Sequence, residues 1–125
     1  MREITPMGAT PKPEGGFELA AWVFMRVSGI LLIVMVLIHL WIMHLVTGIE
    51  NVNYDFVAER FRTPFWRLYD WVMLTFALLH GMNGLRYVVT DYVRDPGRRA
   101  FWVIVLWVLT GIFYLMGTGI LFWVR

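Results

Sequence analysis

Three long stretches without a formally charged side chain set the limits on this chain: residues 27–49, residues 71–85, which continue past Arg86 to Thr90, and residues 100–124. Roughly 20 apolar residues of helix cross the hydrocarbon layer of a bilayer, and in lipid each backbone polar group has to be satisfied within its own segment. Three transmembrane helices are therefore expected, which makes an all-α membrane protein. Composition agrees, since 59% of the 125 residues are hydrophobic, more than a soluble core of this size can bury. Trp22, Trp66, Trp71, Trp102 and Trp123 fall near the expected helix ends, where indole rings suit the membrane–water boundary.

The helices are expected at about 18–48, 65–92 and 99–125, and together they form one three-helix domain, 18–125. An irregular polar arm, residues 1–17, precedes it. Pro6, Gly8, Pro11, Pro13, Gly15 and Gly16 break this arm before any apolar run begins, which argues against a cleavable signal peptide. Gly48 supplies a C-terminal stop for the first helix. Residues 49–64 carry Glu50, Asp55, Glu59, Arg60 and Arg62 and read as a mixed-charge solvated loop with room for a short surface helix. Asp95, Pro96 and Gly97 signal a tight turn, with Arg98 and Arg99 leading into the third helix. In this topology Arg2, Lys12, Arg94, Arg98 and Arg99 lie on one side of the membrane, against Arg60, Arg62 and Arg67 on the other. That bias favours a cytoplasmic N-terminus for a multi-pass membrane protein.

Net charge is +2 and the basic residues are scattered, so no nucleic acid partner is expected. The chain has no cysteine, so it forms no disulfide framework and ligates no iron–sulfur cluster itself.

Chemistry concentrates in LHGMNGLRYVVTDYV, residues 79–93. His80 and Asp91 are eleven residues apart, almost three helical turns, which puts them on one face about 16 Å apart along the axis. His80 lies in apolar sequence, where a polar side chain needs a partner; it either bonds a neighbouring helix or ligates a haem iron through a neutral ring nitrogen. Gly81 and Gly84 beside it allow a flat macrocycle, or another helix, to approach the backbone closely. Asp91 and Tyr92 end the segment. Either they are an interfacial pair, with Asp91 bonded to Arg94, or the phenol donates to a quinone carbonyl while the carboxylate passes protons from water.

Arg26 and Arg86 interrupt apolar sequence near the same expected membrane face. They either snorkel to the surface or bind the carboxylates of a buried haem bidentately. Ser28 follows in RVSG, its hydroxyl set for a ligand or for its own backbone four residues earlier. His39 and His44 in the first helix are the local candidates for a second haem, or serve as hydrogen-bonding and interfacial residues.

With these residues in place, the chain resembles the hydrophobic membrane anchor subunits of succinate dehydrogenase, the complex II or succinate:quinone oxidoreductase family. The resemblance covers residues 18–125, and its specific part is His80, the eleven-residue gap, Asp91 and Tyr92 in TDY, a short basic turn and a final apolar helix. It implies that His80 is one axial ligand of haem b, the second coming from another anchor, and that Tyr92 hydrogen-bonds the quinone with Asp91 in support. RVSG looks like the pattern opening the corresponding helix of the larger, cytochrome b anchor. Here Met25 precedes Arg26 where that larger subunit generally has histidine, which favours the smaller (D-type) anchor. Arg26 and Arg86 are then possible haem propionate or quinone-site contacts, Gly84 a point of close haem approach, and Ser28 a neighbour of the site.

The implied enzyme has a flavoprotein that oxidises succinate, an iron–sulfur subunit that relays electrons, and two anchors that hold haem and quinone. This chain is expected to be half of a heteromeric helical bundle in the lipid membrane, with no succinate chemistry of its own. Ubiquinone and menaquinone present similar carbonyls to the same donors, and the sequence does not separate them. One alternative is the anchor of a quinol:fumarate reductase, which has the same architecture. Another is a haem-free three-helix scaffold or assembly protein. A third, a transporter component with His80, Arg86 and Asp91 as a proton path, is weakened by the lack of a second buried carboxylate.

Overall fold

The computed structural model describes residues 13–124. The arm expected over residues 1–17 lies mostly outside the described residues. Helix α1 spans Gly16–Leu40 and continues as one stretch of π-helix, Trp41–Val46. A 3₁₀ turn, Ile49–Asn51, leads to the short helix α2, Tyr54–Arg62. Two long helices follow, α3 at Pro64–Tyr92 and α4 at Pro96–Trp123. Gly16–Val46, α3 and α4 are each long and apolar enough to cross a membrane.

The ends of these helices follow from local chemistry. Gly48 stops the first helix with φ 79°, and a Cβ there would collide with the Glu50 carboxylate. Asn53 caps α2 by accepting from Phe56 N–H at 3.0 Å. Pro64 and Pro96 open α3 and α4, where a missing N–H costs nothing and φ is already helical. The Asp95 carboxylate accepts from Arg98 N–H at 2.7 Å, so α4 begins at Pro96, three residues before the expected start. Asp95, Pro96 and Gly97 are thus a helix start and not a turn apart from it.

Helix α3 is the centre: α1, α2 and α4 all pack against it. Trp71 Nε1–H donates to Thr118 Oγ1 at 3.2 Å across α3 and α4, so this tryptophan helps to hold the two helices together. At Gly117 the helices approach so closely that a Cβ would lie 2.6 Å from Leu74 Cδ2.

Burial is inverted relative to a soluble protein. Ala21, Ala58 and Leu121 are the buried apolar residues, whereas Ser28, Arg60, Asn83, Arg86 and Thr110 are buried polar ones. Ile30, Leu37 and Leu115, at 68%, 61% and 72% exposure, point outward with many other large apolar side chains. Surface of that kind calls for lipid or partner helices.

Arg60 departs from the solvated loop expected around it. Its Nε and Nη2 donate to the Asp70 carboxylate at 2.7 and 2.9 Å, and its guanidinium stands 4.2 Å from the Trp66 ring centroid. Asp70, whose side chain is 11% exposed, is thus a largely covered carboxylate near the start of α3 that the sequence did not reveal. Removing one member of a buried ion pair costs about 3–5 kcal/mol, whereas replacing both by apolar groups is often neutral. Arg60→Met is therefore expected to lower the unfolding midpoint of the protein in detergent, and Arg60→Met with Asp70→Leu to recover most of the loss. Thermal melting of the two variants checks this.

Candidate functional site

His80 is held from α1. Its Nδ1 lies 2.8 Å from Ser28 Oγ, and Ser28, fully buried, also lies 2.6 Å from the carbonyl oxygen of Phe24. A serine hydroxyl has one proton, and the shorter contact is the bond four residues back to the carbonyl. Ser28 Oγ therefore accepts from His80 Nδ1–H. In the uncharged imidazole that leaves the lone pair on Nε2, the tautomer a metal ligand requires. Gly29 makes room for the ring: a Cβ there would lie 3.5 Å from His80 Cε1. Gly84 faces Met25, whose Cε would lie 3.7 Å from a Cβ there, and Gly81 faces open space.

Toward the C-terminal end of α3, α1 and α3 enclose a cavity of about 560 Å³. Glu18, Trp22, Arg26, Arg86, Tyr87 and Asp91 line it, with Thr90 and Arg99 completing the wall. Arg86 is 7% exposed, and its guanidinium is held bidentately by Glu18, Nη1 to Oε1 at 2.7 Å and Nη2 to Oε2 at 3.1 Å. Arg86 Nε–H donates to Asn83 Oδ1 at 2.9 Å, and the guanidinium stands 4.7 Å from the Tyr87 ring centroid. Arg26 stacks 3.3 Å above the Trp22 ring centroid and donates to the Trp22 carbonyl at 3.1 Å.

The structure thus brings Arg26, Arg86 and Asp91 into one cavity, and Ser28 onto His80. Tyr92 is not among them. It is 83% exposed, because the residue after Asp91 is turned about 100° around the helix and projects from the outer surface of α3. Glu18, Trp22, Asn83 and Tyr87 are site residues that sequence reasoning missed. An acidic residue in the first turn of α1, at the same expected depth as Arg86, was the one signal for Glu18.

His39 and His44 line a second cavity of about 500 Å³ at the opposite end of the bundle, beside Arg60 and Asp70. His39 Nδ1 is 3.7 Å from Asp70 Oδ1 and makes no hydrogen bond among the described residues. No group of three or more His, Asp or Glu side chains converges on a point among the described residues, so a metal held here would draw ligands from elsewhere.

The model of the succinate dehydrogenase/fumarate reductase transmembrane subunit family matches residues 8–123, nearly the whole chain. The chain belongs to this family. No individual curated protein matches it. As a succinate dehydrogenase/fumarate reductase transmembrane subunit it is part of an enzyme complex, and membership implies catalytic partners and a membrane around its three long apolar helices. It also makes sense of the outward apolar faces, which in such a subunit meet lipid and neighbouring chains.

The tautomer of His80 is open to direct measurement. In protein labelled with ¹⁵N histidine, His80 Nδ1 is expected to resonate as the protonated nitrogen and Nε2 as the bare one. Ser28→Ala removes the acceptor and should shift the pair toward the opposite tautomer; unchanged spectra would mean that Ser28 does not set the proton's place.

Proposed function

We propose that the chain is the smaller membrane anchor of a succinate dehydrogenase, which holds part of the quinone-reduction site and gives haem b one of its two axial ligands. The observation that carries this reading is the His80–Ser28 contact, which frees Nε2 of an intramembrane imidazole, lying on the same helix as a polar cavity that holds Asp91. A second anchor supplies the other axial ligand, and an iron–sulfur subunit and a flavoprotein dock on the same side of the membrane. The N-terminus is cytoplasmic, in the inner membrane of a bacterium, as the excess of Arg and Lys in the arm and in the turn after α3 suggests.

The residues present fit haem b. Axial bonding needs an uncharged imidazole with a fixed ring, which Ser28 and the space left by Gly29 provide. Arg26, stacked on Trp22 and paired with no carboxylate among the described residues, is the candidate partner for a propionate. When bound, haem b supplies a one-electron carrier inside the bilayer.

Quinone reduction consumes two protons, and Asp91 faces a cavity through which water can deliver them. Tyr92 offers its phenol on the outer surface of α3, where a quinone held against a neighbouring subunit would meet it. The chain's own work is therefore positioning: it places a hydrogen-bond donor and a proton source at the boundary, and it contributes no group to succinate chemistry.

Two measurements on the purified complex test this. His80→Ala is expected to abolish or strongly alter the reduced-minus-oxidised b-type absorption signal; an unchanged signal would remove His80 as the ligand. Tyr92→Phe should slow quinone reduction roughly tenfold or more, the loss of one hydrogen bond made in the reacting complex, while succinate oxidation with a soluble acceptor persists. Quinone reduction at the wild-type rate would take Tyr92 out of the site.

A further inference from the structure

Two of the three arginines that line the α1–α3 cavity, Arg86 and Arg26, sit in opposite electrostatic conditions. Arg86 is met by a carboxylate along one whole edge, with Glu18 Oε1 and Oε2 at 2.7 and 3.1 Å, and by Asn83 Oδ1 at Nε. Three of its five N–H groups are thereby used and two remain. Glu18 lies in the first turn of α1, where the helix dipole favours a negative charge, and its side chain is 53% exposed, so it keeps contact with water. Arg26 has the face of Trp22 and a backbone carbonyl, and its charge is left uncompensated among the described residues.

We propose that these residues divide the ligand chemistry of the cavity. Arg86, neutralised by Glu18, offers its remaining N–H groups to an uncharged carbonyl oxygen of the quinone ring, and Arg26 receives anionic groups. Glu18 is the positioning residue that makes this part of the site select a neutral ring over an acidic one. An anion approaching Arg86 meets the Glu18 carboxylate on the same guanidinium, at a separation well inside the roughly 8 Å over which salt screens charges, so the repulsion persists although water reaches Glu18. A neutral carbonyl meets no such barrier and gains a donor whose plane is fixed by Glu18, Asn83 and the Tyr87 ring. Asn83 is 4% exposed and so adds rigidity without adding charge.

This inference rests on the quinone-reduction reading, and its test separates the two. In the intact complex, KM is measured for a neutral short-chain quinone and Ki for 2-hydroxy-1,4-naphthoquinone, which is ionised at neutral pH. Glu18→Gln keeps the side chain's size and one acceptor but leaves Arg86 with net charge. It is expected to raise KM for the neutral quinone and to lower Ki for the anionic one, moving their ratio about tenfold, the scale of one charge-assisted contact. Glu18→Asp, which restores the charge, should return the ratio toward wild type. Asp91 and Arg99 also line the cavity and are constant across the series, and the b-type signal should not move, because Arg26 is untouched.

An unchanged ratio in Glu18→Gln, with quinone turnover present, overturns the division. So does a displaced b-type signal with an unchanged ratio, which would make Arg86 the receptor for a propionate. Absence of quinone turnover in the wild-type complex would instead overturn the functional reading on which the inference stands.

Discussion

A polar side chain carried into an apolar layer has to find its partner inside the protein, and α3 shows this at Asp70, His80 and Arg86. Asp70 is met by Arg60, His80 by Ser28, and Arg86 by both Glu18 and Asn83. The hydrophobic effect alone does not fix these helices against one another, because lipid is as apolar a neighbour as leucine, which leaves close packing and polar contacts. Of these polar contacts, one is at the start of α1, one at its middle, and one reaches α3 from α2. Gly29 lets α1 come close enough to His80 for its contact to form, and Gly117 brings α4 close to Leu74 of α3.

The gross architecture was legible because it depends on local quantities. Uncharged runs of sufficient length specified three helices, whereas the Asp95 cap read as part of a separate turn. The pairings were legible only in part. Glu18 and Arg86 are 68 residues apart, and no periodicity within either helix links them. Arg60 read as a loop cation because its partner, Asp70, stands ten residues on, beyond a proline that resets the chain direction. Ser28 was visible as a backbone-bonding hydroxyl, but its second contact requires knowing how α1 rotates against α3.

The two ends of the bundle differ in a way that bears on function. The cavity near the end of α3 mixes three arginines with two carboxylates, whereas the one beside His39 and His44 is largely apolar with a single compensated ion pair at its corner. Chemistry that moves charge finds donors and acceptors at the first. The second has a widened π-helical stretch of α1 for a wall and a histidine nitrogen left without a hydrogen bond among the described residues.

Asp91 and Tyr92 are neighbours in sequence and look in different directions, one into the cavity and the other out of the bundle. In the proposed site, a molecule that touches both has to straddle the end of α3, with a wall of another subunit behind it. On that proposal protons would reach the ring through the space between α1 and α3, while the phenol would meet it from the outer side of the helix. A single backbone step of helix rotation is what turns the carboxylate and the phenol to those two sides.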